Sequence, residues 1–230
     1  MYNICTCACL ISRNYSPPTQ HMHESNDCQT RRKSFLTKEG IMSASGAKIL
    51  VTGGNAGIGF ALCKQLAVEH GCHVYLASRS SQRGSEAVAS IQSMLKEKGD
   101  GFVELLTLDV GDDASVSKAA ETLKSKLNGE LLYGIVNNAG LGPKCDSADE
   151  IMNVNFYGPK RVIDAFGNCL KSDGGRVVNV GSGAGPSYVK NCPPDMQRLL
   201  CSEPASFDQI ASWATKSSDG KTGIGSEADG

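Results

Sequence analysis

The residues with the clearest chemical meaning are Thr52-Gly53-Gly54-Asn55-Ala56-Gly57-Ile58-Gly59, a glycine-rich run between an apolar stretch and a segment of helical period. Glycine permits a tight turn and a close approach of backbone to ligand. A helix start adds unpaired N–H groups and the positive end of its dipole. Together they suit a pyrophosphate, with Gly53, Asn55, Gly57, Ile58 and Gly59 as the lining residues, although Gly57 and Gly59 would also serve close helix–sheet packing. Arg79 follows the second apolar stretch. A dinucleotide site that prefers a free ribose 2′-hydroxyl usually carries an acid there. A planar guanidinium suits a 2′-phosphate instead, which predicts NADP(H) as the cofactor. Asp109-Val110 closes the third apolar stretch, where the carboxylate can accept from an adenine amino group and Val110 can cover the ring; an aspartate after a strand is also a common turn residue. Asn137-Asn138-Ala139-Gly140 closes the fourth. Ala139 and Gly140 are small enough for a flat cofactor to lie against backbone, and side chains such as Asn137 can hold an irregular strand end through main-chain bonds.

These motifs need a scaffold that delivers them to one edge. Short apolar runs at Lys48–Val51, Val74–Ala77, Val103–Leu108, Ile135–Val136 and Arg176–Val180 read as buried strands. Between them, Ile58–Glu69, Ser85–Lys98, Ser115–Leu127 and Ala148–Leu170 carry apolar residues at helical spacing, the last as one long helix. Alternating strands and helices imply right-handed βαβ units and an α/β fold, a Rossmann-type doubly wound parallel sheet with helices on both faces. Ligand is then expected at the carboxyl ends of the strands, where every motif above falls. Beyond Gly185 the pattern changes: Asp195–Cys201 and Phe207–Lys216 read as short helices, Ser217–Gly230 as loop, and no sixth strand is visible.

Thr-Gly-x-x-x-Gly-Ile-Gly at 52 to 59, Asn-Asn-Ala-Gly at 137 to 140 and Val-Asn-Val-Gly-Ser at 178 to 182 together resemble the short-chain dehydrogenase/reductase family, over about residues 47 to 185. The resemblance implies two catalytic residues. Ser182 matches the serine that binds the substrate carbonyl oxygen. Asn155 matches the helix asparagine that supports the proton relay, and Asn153 is passed over because it lies on another face of the helix. The family's acid is the tyrosine of a Tyr-x-x-x-Lys unit, whose lysine lowers the phenol pKa from about 10. No such unit occurs in the sequence: Tyr188 has its lysine, Lys190, two residues on, and is rejected as the acid. Residues 186 to 217, beginning with Lys190-Asn191-Cys192-Pro193-Pro194-Asp195-Met196-Gln197, resemble the helical insertion of the monomeric NADPH carbonyl reductases. What this implies is an NADPH-dependent oxidoreductase that reduces small carbonyl compounds (aldehydes, ketones, quinones) by hydride transfer, monomeric when complete. The chain is expected to be an incomplete form of weak or no turnover, with Ile163 and Phe166 facing water where further elements are missing. A non-catalytic NADP(H)-binding protein or redox sensor is the alternative. A nucleotide-sugar epimerase is disfavoured, because three residues rather than two separate Gly53 from Gly57.

Composition narrows the classes further. The chain has 230 residues, enough for one α/β domain, with 20% charged and 40% hydrophobic residues and a net charge of −1. That balance supplies no field for nucleic acid or an anionic membrane, and no run of 18 or more apolar residues is present. The organisation expected is a leader at 1–42, an NADP(H)-binding domain at 43–185, and an insertion with loop at 186–230. The leader is read as disordered, with a net charge of +2 from five basic and three acidic residues. It is taken as translated sequence ahead of a start near Met42 more readily than as an organelle-targeting segment. Ten cysteines without a C-x-x-C pair read as reduced thiols of a cytoplasmic protein. Cys5-x-Cys7-x-Cys9 has soft-metal ligands but no second cluster at ligand spacing, so no metal is expected.

Overall fold

The computed structural model describes residues 45–218 apart from 99, 143, 144, 146 and 202–205; the leader expected at 1–42 lies outside the described residues. Five strands form one parallel sheet: β1 (Lys48–Val51), β2 (His73–Ser78), β3 (Phe102–Thr107), β4 (Gly134–Asn137) and β5 (Arg176–Asn179). Their order is β3-β2-β1-β4-β5, so the chain steps outward from β1 to β3, crosses back, and continues from β4 on the other side. The crevice between β1 and β4 is therefore the switch point at which an open α/β sheet binds ligand.

Strand alternation builds a core on each face. Leu50, Tyr75, Ala77 and Leu106 point to one side, where they meet Val116, Ala119 and Leu123 of α3 (Asp113–Leu127). Ile49, Val51, Val74, Leu76 and Val103 point to the other, against Cys63 and Ala67 of α1 (Gly57–Val68) and Val88 and Ile91 of α2 (Ser81–Lys98). Covering both faces is what lets the strands be apolar without interruption.

The expected long helix at 148–170 is a composite. It comprises α4 (Ala148–Met152), a π-helical turn at Asn153–Tyr157, α5 (Gly158–Phe166) and a 3₁₀ turn at Gly167–Cys169. Pro159 supplies the reason: it has no N–H for the carbonyl one turn back and its ring crowds that carbonyl, so the turn ahead of it widens. Gly158 then lies so close to the preceding loop that a Cβ would stand 2.9 Å from Val110 Cγ2. The expectation that Phe166 faces water is also corrected. Phe166 and Val162 are fully buried against the α3 side of the sheet, because their spacing puts them on the inner stripe of α5. Ile163, one residue off that stripe, is half-buried.

Beyond β5 come α6 (Ala184–Asn191), α7 (Pro194–Cys201) and α8 (Phe207–Ser218). The sequence pattern misses α6, since Gly183, Gly185 and Pro186 read as loop; a proline in the first turn is tolerated there because that N–H has no helical partner to lose. Of the loop expected at Ser217–Gly230, Ser217 and Ser218 close α8 and the remainder lies outside the described residues. Among the described residues no helix is long and apolar enough to cross a membrane.

Candidate active site

The glycine-rich run connects β1 to α1, and its hydrogen bonding fixes what each residue does. Thr52 is 2% exposed. Its Oγ1 accepts from the N–H groups of Asn138 and Ala139, each at 3.0 Å, and donates to Val136 O at 3.4 Å. Asn138 Nδ2 returns the contact by donating to Thr52 O at 3.0 Å and Gly53 O at 3.3 Å. The loops after β1 and β4 are thus tied into one rim.

The glycines divide into two roles. A Cβ on Gly59 would lie 2.3 Å from Gly53 O, and one on Gly53, at φ +65°, would lie 2.9 Å from Ala139 Cα; both are required by close backbone packing. Gly57 has φ +55° and nothing within 4 Å of its Cβ position, so its left-handed backbone opens onto free space. The N-cap of α1 is Ala56, which has no side chain to bond the first N–H groups, and the first turn carries no acid. An anion is the natural partner for such a helix end.

That free space is a cleft of about 420 Å³ along the carboxyl ends of β1 to β4. The structure brings to it Gly53, Asn55, Gly57, Ile58, Gly59, Arg79, Asp109, Val110, Ala139 and Gly140. Asn137 is the exception among the residues expected there. It is 4% exposed, donates from Nδ2 to Asn179 Oδ1 at 2.9 Å, and lines the neighbouring cavity instead. The strand alternation turns it away, and Asn138 takes the place at the cleft. Asp109 also shapes its own loop: Oδ1 accepts from Gly111 N–H at 2.9 Å, while the Asp109 N–H donates to Ser115 Oγ at 2.9 Å. Arg83 completes the wall beside Arg79. The sequence pattern, which starts this helix at Ser85, gives Arg83 no place; it reaches the wall because α2 begins at Ser81 and carries Arg83 in its first turn.

A second cavity of about 610 Å³ adjoins the first across Asn138, Ala139 and Gly140. Ser182 and Asn155 both line it, as do Phe156, Lys160 and Ile163. Ser182 is exposed and its Oγ accepts from Ala184 N–H at 3.2 Å, at the start of α6. The Asn155 amide is clamped to Leu141, with Oδ1 accepting from the N–H at 2.7 Å and Nδ2 donating to the carbonyl at 2.9 Å. Asn153 faces elsewhere and donates to Gly111 O at 2.9 Å. Phe207 of α8, which periodicity alone could not place, closes one wall: its ring stacks on Phe156 at 4.8 Å and meets Tyr157 edge-on at 5.8 Å. Tyr188 lines neither cavity. Burial, then its hydrogen bond with Cys192, pushes its phenol pKa up, opposite to what a proton donor at neutral pH requires.

The comparisons with known proteins agree with this geometry. The family model of the short chain dehydrogenases matches residues 47–194. The chain belongs to the short chain dehydrogenase family. A (+)-neomenthol dehydrogenase of Arabidopsis thaliana is 39% identical over 162 residues, which span 59% of this chain and 53% of that protein. A carbonyl reductase [NADPH] 1 of Mus musculus is 31% identical over 195 residues, or 81% of this chain and 67% of that protein. Among solved structures, a menthone neomenthol reductase of Mentha piperita superposes with a TM-score of 0.63 at 27% identity, covering 75% of this chain and 73% of that one. The chain thus spans about half to two thirds of the length of these curated short chain dehydrogenases.

Proposed function

We propose that the cleft binds NADP(H) and that the chain is a carbonyl-reducing oxidoreductase, with the adjoining cavity as the substrate site. The observation that carries the cofactor choice is the pair Arg79 and Arg83 on one wall of the cleft. Two guanidiniums beside the ribose end suit a 2′-phosphate and have no equivalent use for a bare hydroxyl. The open left-handed Gly57 and the uncapped start of α1 fit a pyrophosphate. When bound, the dinucleotide supplies a hydride equivalent to a carbonyl carbon.

The chain's own residues then have these parts. Backbone N–H groups at Gly57, Ile58 and Gly59 hold the pyrophosphate, with Gly53 and Asn55 shaping the turn. Asp109 accepts from the adenine amino group, and Val110 covers the ring. Asn138 and Ala139 with Gly140 form the strand end against which the nicotinamide half lies. Ser182 Oγ donates to the carbonyl oxygen and polarises it. Asn155 fixes Leu141 and so the rim between the two cavities. Substrates are small aldehydes, ketones and quinones, which the largely apolar Phe156, Ile163 and Phe207 wall accommodates. Residues 43–185 are assigned to the NADP(H)-binding unit and 186–230 to an insertion; the complete protein acts as a cytoplasmic monomer.

The test is a fluorescence titration with NADPH and NADH. Replacing Arg79 by Asp is expected to weaken NADPH binding by about ten- to a hundredfold, the worth of a charge-assisted contact of roughly 1.5–3 kcal/mol, and NADH binding far less. Equal losses for both would remove Arg79 from the 2′-phosphate. A second reading, binding without turnover, draws on Tyr188, the tyrosine after β5, which lines neither cavity and has a raised phenol. Tight NADPH binding with no NADPH consumption on adding a quinone would select it.

A further inference from the structure

Arg161 lines neither cavity, yet it bonds Val110 of the cleft wall and the π-helical turn whose Asn155 and Phe156 line the second cavity. Its Nε is paired with Asp113 Oδ1 at 2.6 Å. One terminal nitrogen donates to Asn153 O at 3.1 Å and reaches Val110 O at 3.5 Å. The guanidinium lies 6.0 Å from the centre of the Tyr157 ring. Its side chain is 23% exposed, whereas that of Asp113 is 83% exposed. The pair is therefore not a surface ion pair of the ordinary weak kind: one partner is mostly covered and bonds two backbone carbonyls as well. Val110, which lines the cleft, and Gly111 belong to the loop after β3, and Asp113 opens α3 directly behind that loop; Asn153 and Tyr157 belong to the π-helical turn. Asn153 adds a parallel tie by donating to Gly111 O at 2.9 Å.

We infer that Arg161 is a positioning residue for the adenine end of the dinucleotide. Resting on the reading that the cleft takes NADP(H), the inference is that Arg161 holds Val110 and Gly111 against the π-helical turn at the distance the adenine ring needs. A planar fork serves Asp113 from one nitrogen and the carbonyl groups from another; an ammonium gathers its three donors on one compact centre and cannot reproduce that spread. Gly158, whose missing Cβ leaves 2.9 Å to Val110 Cγ2, permits the approach that Arg161 then fixes.

The experiment uses adenosine 2′,5′-bisphosphate, which carries the adenine end and lacks the nicotinamide, titrated calorimetrically into the full chain. Arg161→Gln is expected to weaken this fragment by roughly tenfold, since a charged hydrogen-bond set that shapes the site is lost. Arg161→Lys is expected to rescue binding only in part. Thermal melts of each variant separate this from loss of fold: a purely structural role would lower the melting temperature and leave fragment affinity at 10 °C, set as about the temperature of maximum stability, unchanged. Wild type and Arg161→Gln binding the fragment equally would overturn the inference alone. A wild-type chain that fails to bind the fragment would overturn the cofactor reading on which it rests.

Discussion

Replacing Thr52 by Val tests the rim that ties the loops after β1 and β4. Valine keeps the branched shape of threonine but has no hydroxyl. Thr52 Oγ1 accepts from two N–H groups, Asn138 and Ala139, at 3.0 Å each, at a position 2% exposed. Both donors lose their partner in the variant. The third contact, donation to Val136 O at 3.4 Å, matters little, because that carbonyl also accepts from the Thr52 N–H at 2.9 Å. Stranding a buried donor costs about 1–3 kcal/mol, and these two are half-buried, so the variant is expected to lose about 2 kcal/mol, the low end for the pair. Against a total stability of roughly 5–15 kcal/mol that is a large fraction. Thr52→Ser keeps the oxygen and forfeits one methyl, a loss of about 1 kcal/mol. Urea unfolding by linear extrapolation measures both variants, with an NADPH titration of the folded fraction alongside. The reasoning is refuted if the valine variant unfolds within about 0.5 kcal/mol of wild type, the ordinary range for a neutral surface change, or if serine is as damaging as valine.

Two further outcomes follow from particular contacts. Alanine at Gly59 would place a methyl 2.3 Å from Gly53 O and 2.4 Å from Asn138 Nδ2, whereas at Gly57 it meets no atom and is strained only by φ +55°; Gly59→Ala is expected to lower the urea midpoint more, and the reverse order would contradict the division of roles drawn for the two glycines. The second outcome concerns His73, at the start of β2. Burial lowers its pKa below the usual 6.5, outweighing its hydrogen bond to Glu104, which raises it; Lys48 lowers it and Glu130 raises it more weakly. Glu104 is also paired with Lys126. Because the folded state prefers neutral His73, its contribution to stability is full above about pH 6.5 and is lost as pH falls below that value toward the lowered folded pKa. Between pH 7.5 and 5.5 the urea midpoint is expected to fall more for wild type than for His73→Gln; parallel falls would rule His73 out.

Much of this site was legible in the sequence because strand ends are where local pattern and ligand chemistry coincide. Gly53-Gly54 and Asn137-Asn138 mark the ends of apolar runs, and a parallel sheet delivers all such ends to one edge. Arg79 could be read for the same reason. Thr52, Asn138 and Arg161 could not, because their meaning lies in bonds to residues far along the chain, between loops that only the fold brings together. Motif alone points Asn137 into the cleft, whereas the parity of the strand sends it to the other cavity. Phe166 reads as facing water only if its partner must lie beyond β5; α3 already covers the inner stripe of α5. Pro159 was visible in the sequence, and weighing its missing N–H would have foretold the break in the long helix.

The π-helical turn at Asn153–Tyr157 sets the phase of everything that follows it. A regular α-helix advances about 100° per residue, so the widened turn works like a slipped tooth in a gear. At the first residue of the slip, Asn153 meshes with the loop after β3; midway through it, Asn155 meshes with the loop after β4; downstream, Val162 and Phe166 mesh with the core. Removing one residue here would let the helix run evenly, yet it would swing Val162 and Phe166 about 100° out of the core or pull both asparagines off their loops. The number of residues in this turn is therefore as much a functional quantity as their identity.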